Sequence, residues 1–123
     1  MKAIFFLLAI FILTVSANAQ ISGKSQPDST QKIMVVDASC GQCKFKLEGP
    51  GCDLAVRMGG KAYFVDGTSI DEHGDAHAKD GFCNAIRKAE VQGKLVKNRF
   101  QATYFRLVSK EEEIKPMDKK ENN

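Results

Sequence analysis

Residues 87–108 read RKAEVQGKLVKNRFQATYFRLV. Two runs, Arg87 to Gln92 and Arg99 to Val108, are separated by Gly93 and the pair Lys97-Asn98, the pattern of two antiparallel strands joined by a turn. In the second run Phe100, Ala102, Tyr104 and Val108 share one face, interrupted by Arg106, while Phe105 and Leu107 fall on the other. A strand apolar on both faces sits between two layers or closes a barrel.

Upstream, Asp53 to Met58 and Lys61 to Asp66 flank Gly59-Gly60, where both turn positions accept positive φ. Ile33 to Val36 is a short β-branched run suited to a buried strand. Asp66 to Asp80 is polar and irregular. Beyond it, Phe82, Cys83, Ile86 and Ala89 have helical spacing, with Asp80 available as an N-cap, which predicts a short helix over Gly81 to Ile86. The expected fold is mainly β: a small five-stranded OB-like barrel with one short helix before the fourth strand, over residues 32–109.

The ends read differently. Lys2, the apolar run Ala3 to Leu13 and the small residues Ala17-Asn18-Ala19 have the layout of a secretory signal peptide over residues 1–19. The run is too short for a membrane span, which needs about 20 apolar residues. Residues 20–31 (QISGKSQPDSTQ) read as a flexible leader, and 110–123 (KEEEIKPMDKKENN) as a charged, disordered tail. A periplasmic or secreted location follows, with no membrane span after cleavage. The 123 residues allow one domain, and 18 basic against 15 acidic residues argue against nucleic-acid binding through phosphate neutralisation.

Four cysteines are the chemically informative residues, spaced Cys40-x2-Cys43-x8-Cys52-x30-Cys83. Three uses are open. In an exported small domain Cys40, Cys43, Cys52 and Cys83 form disulfides that staple an undersized core; four cysteines allow three pairings. Alternatively, Cys40 and Cys43 have the spacing by which two thiolates reach one tetrahedral ion, although the second Cys-x2-Cys of a zinc ribbon is missing. Thirdly, Cys40 and Cys43 exchange disulfides. Their surroundings, Val35 to Lys44, resemble the thioredoxin active-site motif, but Gly49-Pro50-Gly51 interrupts the long helix that family requires, and its upstream elements have no place.

His73 and His77 lie in an acidic stretch, Asp71 to Asp80. Imidazole beside carboxylates suits a borderline metal, whereas Gly74 weakens any helix there and such loops are commonly solvated. If Cys83 draws this loop towards Cys40 and Cys43, then Cys40, Cys43, Cys83, His73 and His77 form a mixed site for copper or zinc. Asp66, Asp71, Glu72, Asp75 and Asp80 read as a solvated face rather than a catalytic dyad. With no nucleophile set or phosphate loop in evidence, an enzyme is the least favoured class.

The strings CGQCKFKLEGPGCDLAVR, KAYFVDG and HGDAHAKDGFCNAIRKAEVQG resemble a family of small exported proteins, of Bacteroidota type, whose function is unknown. The resemblance spans Val35 to Val108 and implies an exported Cys/His-containing domain without an assigned activity. The expected function is therefore an exported binding domain for a metal ion, with a disulfide-stapled interaction module and thiol exchange as alternatives. Its partner is an unidentified small ligand or protein.

Overall fold

The computed structural model describes residues 26–114; the expected signal peptide and most of the expected tail lie outside them. Five strands form a closed barrel: β1 (Met34–Cys40), β2 (Leu54–Met58), β3 (Lys61–Asp66), β4 (Arg87–Val96) and β5 (Arg99–Leu107), in the order β1-β2-β3-β5-β4. All neighbouring pairs are antiparallel except β3 with β5, where Val65 pairs with Phe100 in parallel. This order is compatible with the expected OB-like barrel. No helix among the described residues is long and apolar enough to cross a membrane.

Both tight hairpins form for backbone reasons. Gly59 and Gly60 adopt φ of 57° and 81° between β2 and β3, and Lys97 and Asn98 adopt 49° and 61° between β4 and β5. Positive φ at both central positions matches the twist of the flanking strands. Alternation directs Val36, Ala38 and Cys40 of β1, and Leu54 and Val56 of β2, into the core. Phe100, Ala102 and Phe105 of β5 join them, and Ile70, Ala76 and Phe82 fill the core from the connection between β3 and β4.

The two apolar faces of β5 are reconciled by a bulge. Gln92 pairs with Tyr104 but Gly93 pairs with Ala102, so Thr103 is the extra residue and the inward face changes parity. Gly93 is thus inside β4 rather than at its end. It has φ of 154°, and a Cβ there would collide with the Gln101 carbonyl. Gly93→Ala is expected to lower stability by about 2–3 kcal/mol through this strain and overpacking. A urea midpoint indistinguishable from wild type would show that the seam tolerates a side chain.

The helix expected over Gly81 to Ile86 is a correction. This segment is a single turn in which Asn84 and Ala85 N–H groups both reach the Gly81 carbonyl. Tertiary partners take other backbone groups of the turn: Cys83 N–H goes to the Ala76 carbonyl, and the Phe82 carbonyl accepts Cys40 N–H. The short helix before β4 lies earlier, as a 3₁₀ turn over Ile70–His73.

Order also extends into both flanks. The buried Gln92 amide accepts Asp28 N–H and donates to the Asp28 and Gln31 carbonyls, each at 2.8 Å, fixing the second half of the expected leader. The start of the expected tail is a helical turn, α2 (Lys110–Ile114). Ser109 and Glu112 form a reciprocal capping box. Glu112 also pairs with Arg106, and Lys110 with Asp80, which docks the turn on the barrel.

Candidate metal centre

The four cysteines come from four separate segments. Cys40 ends β1; Cys43 lies in the one-turn helix α1 (Gly41–Lys44); Cys52 precedes β2; Cys83 lies in the turn before β4. Their sulfur atoms all lie within 4.8 Å of one another. Cys43 Sγ is 3.9 Å from Cys52 Sγ, and Cys52 Sγ is 2.7 Å from Cys83 Sγ. With metal–sulfur bonds of about 2.3 Å, a tetrahedral zinc site has sulfur–sulfur edges of about 3.8 Å. The 2.7 Å pair would have to open by about 1 Å to meet that edge, or close to about 2.05 Å to form a disulfide.

Local structure explains the convergence. The fully buried Cys40 thiol caps α1 by accepting Cys43 N–H at 3.3 Å. Gly41 is buried beneath this turn. A Cβ on Gly41 would stand 2.6 Å from Phe64 Cε1 and 3.1 Å from Ala55 Cβ, so only glycine permits this close approach. Gln42 then clips the following loop into place. Its amide oxygen accepts Asp53 N–H at 2.9 Å, while its nitrogen donates to Asp53 Oδ2 at 2.6 Å and to the Pro50 carbonyl at 3.3 Å. These bonds hold Cys52 opposite α1. Cys83 is fixed through Ser39, whose buried hydroxyl lies 2.6 Å from the Phe82 carbonyl and 2.8 Å from that of Ala85.

The thiols do not ionise alike. Burial pushes Cys40 up, but hydrogen bonds from the Cys43 and Cys52 thiols and from the backbone N–H groups of Cys43 and Gln42 outweigh it. Its ionisation therefore falls below the ordinary thiol value. The hydrogen-bonded Cys40 thiol, followed by burial, pushes Cys43 up to about 11. Burial, then the neighbouring Cys40, Cys83 and Cys43 thiols, hold Cys52 far above the usual range. A negative charge is accommodated on Cys40, whereas one on Cys43 or Cys52 is opposed by its neighbours. A cation among the sulfurs would remove that opposition.

His73 and His77 are not part of the cluster formed by Cys40, Cys43, Cys52 and Cys83. His73 Nε2 is 2.9 Å from Thr68 Oγ1, and that hydroxyl is 2.5 Å from Glu72 Oε2. A hydroxyl has a single proton; given to the carboxylate, it leaves His73 Nε2 as the donor and Nδ1 as the free lone pair. The ring packs against Phe105, with centroids 4.5 Å apart, and edge-on to Phe82. It lines a cavity of about 210 Å³ with Asp75, Asp80, Phe82 and Arg87. His77 is exposed, its N–H bonded to Asp75.

Burial holds the His73 ring below the usual histidine value, against an opposing pull from Glu72. Between the native and unfolded pKa values the unfolded chain binds more protons, so His73 contributes stability above about pH 6.5 that is lost as pH falls below it. In His73→Gln, Tm is expected to fall less steeply between pH 7.5 and 5.5 than in wild type. Parallel melting curves across that range would refute the assignment.

The residues that the spacing did not mark are Ser39, Gln42 and Asp53. Their role is to position loops, and it depends on contacts made after the barrel closes. The sequence profile of a family of unknown function (DUF6370) matches residues 34–108, from the start of β1 to the residue after β5. The chain belongs to that family. The matched segment contains all four cysteines and both histidines of the DUF6370 domain described here. No curated protein and no solved structure matches the chain significantly.

Proposed function

We propose that this protein is an exported binding domain that holds one thiophilic metal ion through Cys40, Cys43, Cys52 and Cys83. The carrying observation is that all four sulfurs converge within 4.8 Å. Two disulfides need two close pairs but give no reason for the pairs to meet, whereas one ion needs all four donors around one point. Tetrahedral sulfur sets suit zinc, and soft thiolates also take copper(I). In this reading Cys52 completes the ligand set, and His73 and His77 stand outside it. The charged start, short apolar run and Ala17-Asn18-Ala19 of the N-terminus support export to the periplasm or the medium.

Elemental analysis of protein purified without chelators tests the proposal. The expected result is one equivalent of zinc or copper per chain, reduced in each single Cys→Ser variant and retained in His73→Ala and His77→Ala. The 2.7 Å approach of Cys52 to Cys83 supports the competing reading, a disulfide-stapled module. Metal-free protein with no free thiol after denaturation would establish that reading instead.

A further inference from the structure

Exposure changes in order across the cluster. Cys43 is exposed, Cys52 and Cys83 are partly buried, and Cys40 is fully buried. An ion enclosed by four buried thiolates is a permanent staple, because no incoming ligand reaches it. Here one of the four donors faces solvent, on a helical turn of only four residues. Cys40 is anchored at the opposite side by its strand, by its N–H bond to the Phe82 carbonyl and by the Cys43 N–H on its sulfur. Two lysines follow the exposed donor, Lys44 next to it and Lys46 after Phe45. Lys44 and Lys46 are both exposed, and among the described residues neither is held in an ion pair.

From this arrangement we infer that the ion is cargo, handed through Cys43 to an acceptor thiolate that carries further negative charge; the inference rests on the four-thiolate reading above. The handover is a ligand substitution without oxidation. The acceptor thiol releases its proton to solvent as its sulfur bonds the metal, and the metal–Cys43 bond breaks. The departing Cys43 thiolate takes up a proton. The metal keeps its oxidation state. Further acceptor sulfurs then displace Cys52, Cys83 and finally Cys40, following the order of burial. Lys44 and Lys46 attract the charged acceptor to the open side.

The test uses the full chain loaded with zinc, with glutathione as the anionic thiol and 2-mercaptoethanol as the uncharged one. Zinc loss is followed with a zinc-responsive dye. The rate is expected to rise in proportion to glutathione. At low salt, Lys44→Glu combined with Lys46→Glu is expected to slow transfer to glutathione about threefold or more and to leave transfer to 2-mercaptoethanol unchanged. Brief iodoacetamide treatment of the loaded protein, mapped by mass spectrometry, is expected to label Cys43 first. A zinc-loaded protein whose loss rate ignores thiol concentration, whose lysine variants behave like wild type, or whose first label falls on Cys40 or Cys83 overturns the handover alone. A chain that takes up no zinc overturns the four-thiolate reading, and the handover with it.

Discussion

If Cys40, Cys43, Cys52 and Cys83 hold an ion as proposed, stripping it with a strong chelator is expected to lower Tm by about 20 °C or more. The size follows from what the centre connects. An ion held by the four cysteines would tie the end of β1 to α1, to the loop before β2 and to the turn before β4, joining positions as far apart as Cys40 and Cys83. The segments between β1 and β2 and between β3 and β4 contain only short turns of helix. An ion would add to the hydrogen bonds of Gln42 and Ser39 and the burial of Ile70, Ala76 and Phe82 that already hold them. Zinc bound to a four-ligand site contributes about 10–16 kcal/mol of apparent binding free energy, much of it available as folding free energy. A loss of even about 3 kcal/mol moves Tm of a domain this size by about 12–24 °C. Cys40→Ser, at a fully buried position, should approach the effect of chelation, while the exposed Cys43→Ser should have a smaller one. Calorimetry with and without chelator measures both. A shift of only a few degrees in protein shown to hold stoichiometric metal would mean that the barrel is complete without it.

Phe100→Ala is expected to destabilise the domain by about 3–5 kcal/mol, the usual range for emptying an aromatic site in a close-packed core. Among the described residues Phe100 is the largest side chain that is fully buried, at 1% exposure. It also stands at the closure of the barrel, paired with Leu95 on one side and Val65 on the other. Its removal therefore leaves a cavity where the parallel pairing of β3 with β5 completes the cylinder. Total stability of a small domain is about 5–15 kcal/mol, so this loss consumes much of it. Leu95→Ala is the matched control, since Leu95 is 49% exposed and should change stability by about 0.5 kcal/mol or less. Urea unfolding of both variants separates the two outcomes. Equal midpoints would place the packing centre of the barrel elsewhere.

Strand positions were legible because their determinants are local. Lys61 to Asp66 is read with the observed bounds, and Gly59-Gly60 marks its turn through a backbone conformation that glycine adopts without strain. The double apolar face of β5 announced closure, although the bulge at Gly93 was hidden because it depends on the pairing partner. The turn at Gly81 to Ile86 misleads for a similar reason. Its residues have helical spacing, but carbonyls and N–H groups that would continue a helix are taken by Ser39, Cys40 and Ala76. α2 is masked in the sequence despite its Ser109–Glu112 capping box, because its charge density resembles that of a solvated tail.

For this protein, local sequence determined which segments are strands, where the chain reverses and which side chains can bind a soft ion, since these depend on backbone preference, alternation and thiol chemistry. Only the tertiary structure decided which candidates meet. Cys52, separated from Cys43 by a Gly-Pro-Gly loop, joins the other three sulfurs because Gln42 grips Asp53 and Pro50. His73 turns instead towards Thr68 and Phe105. Barrel closure sets these distances, and no spacing along the chain encodes a contact between segments that closure alone brings together.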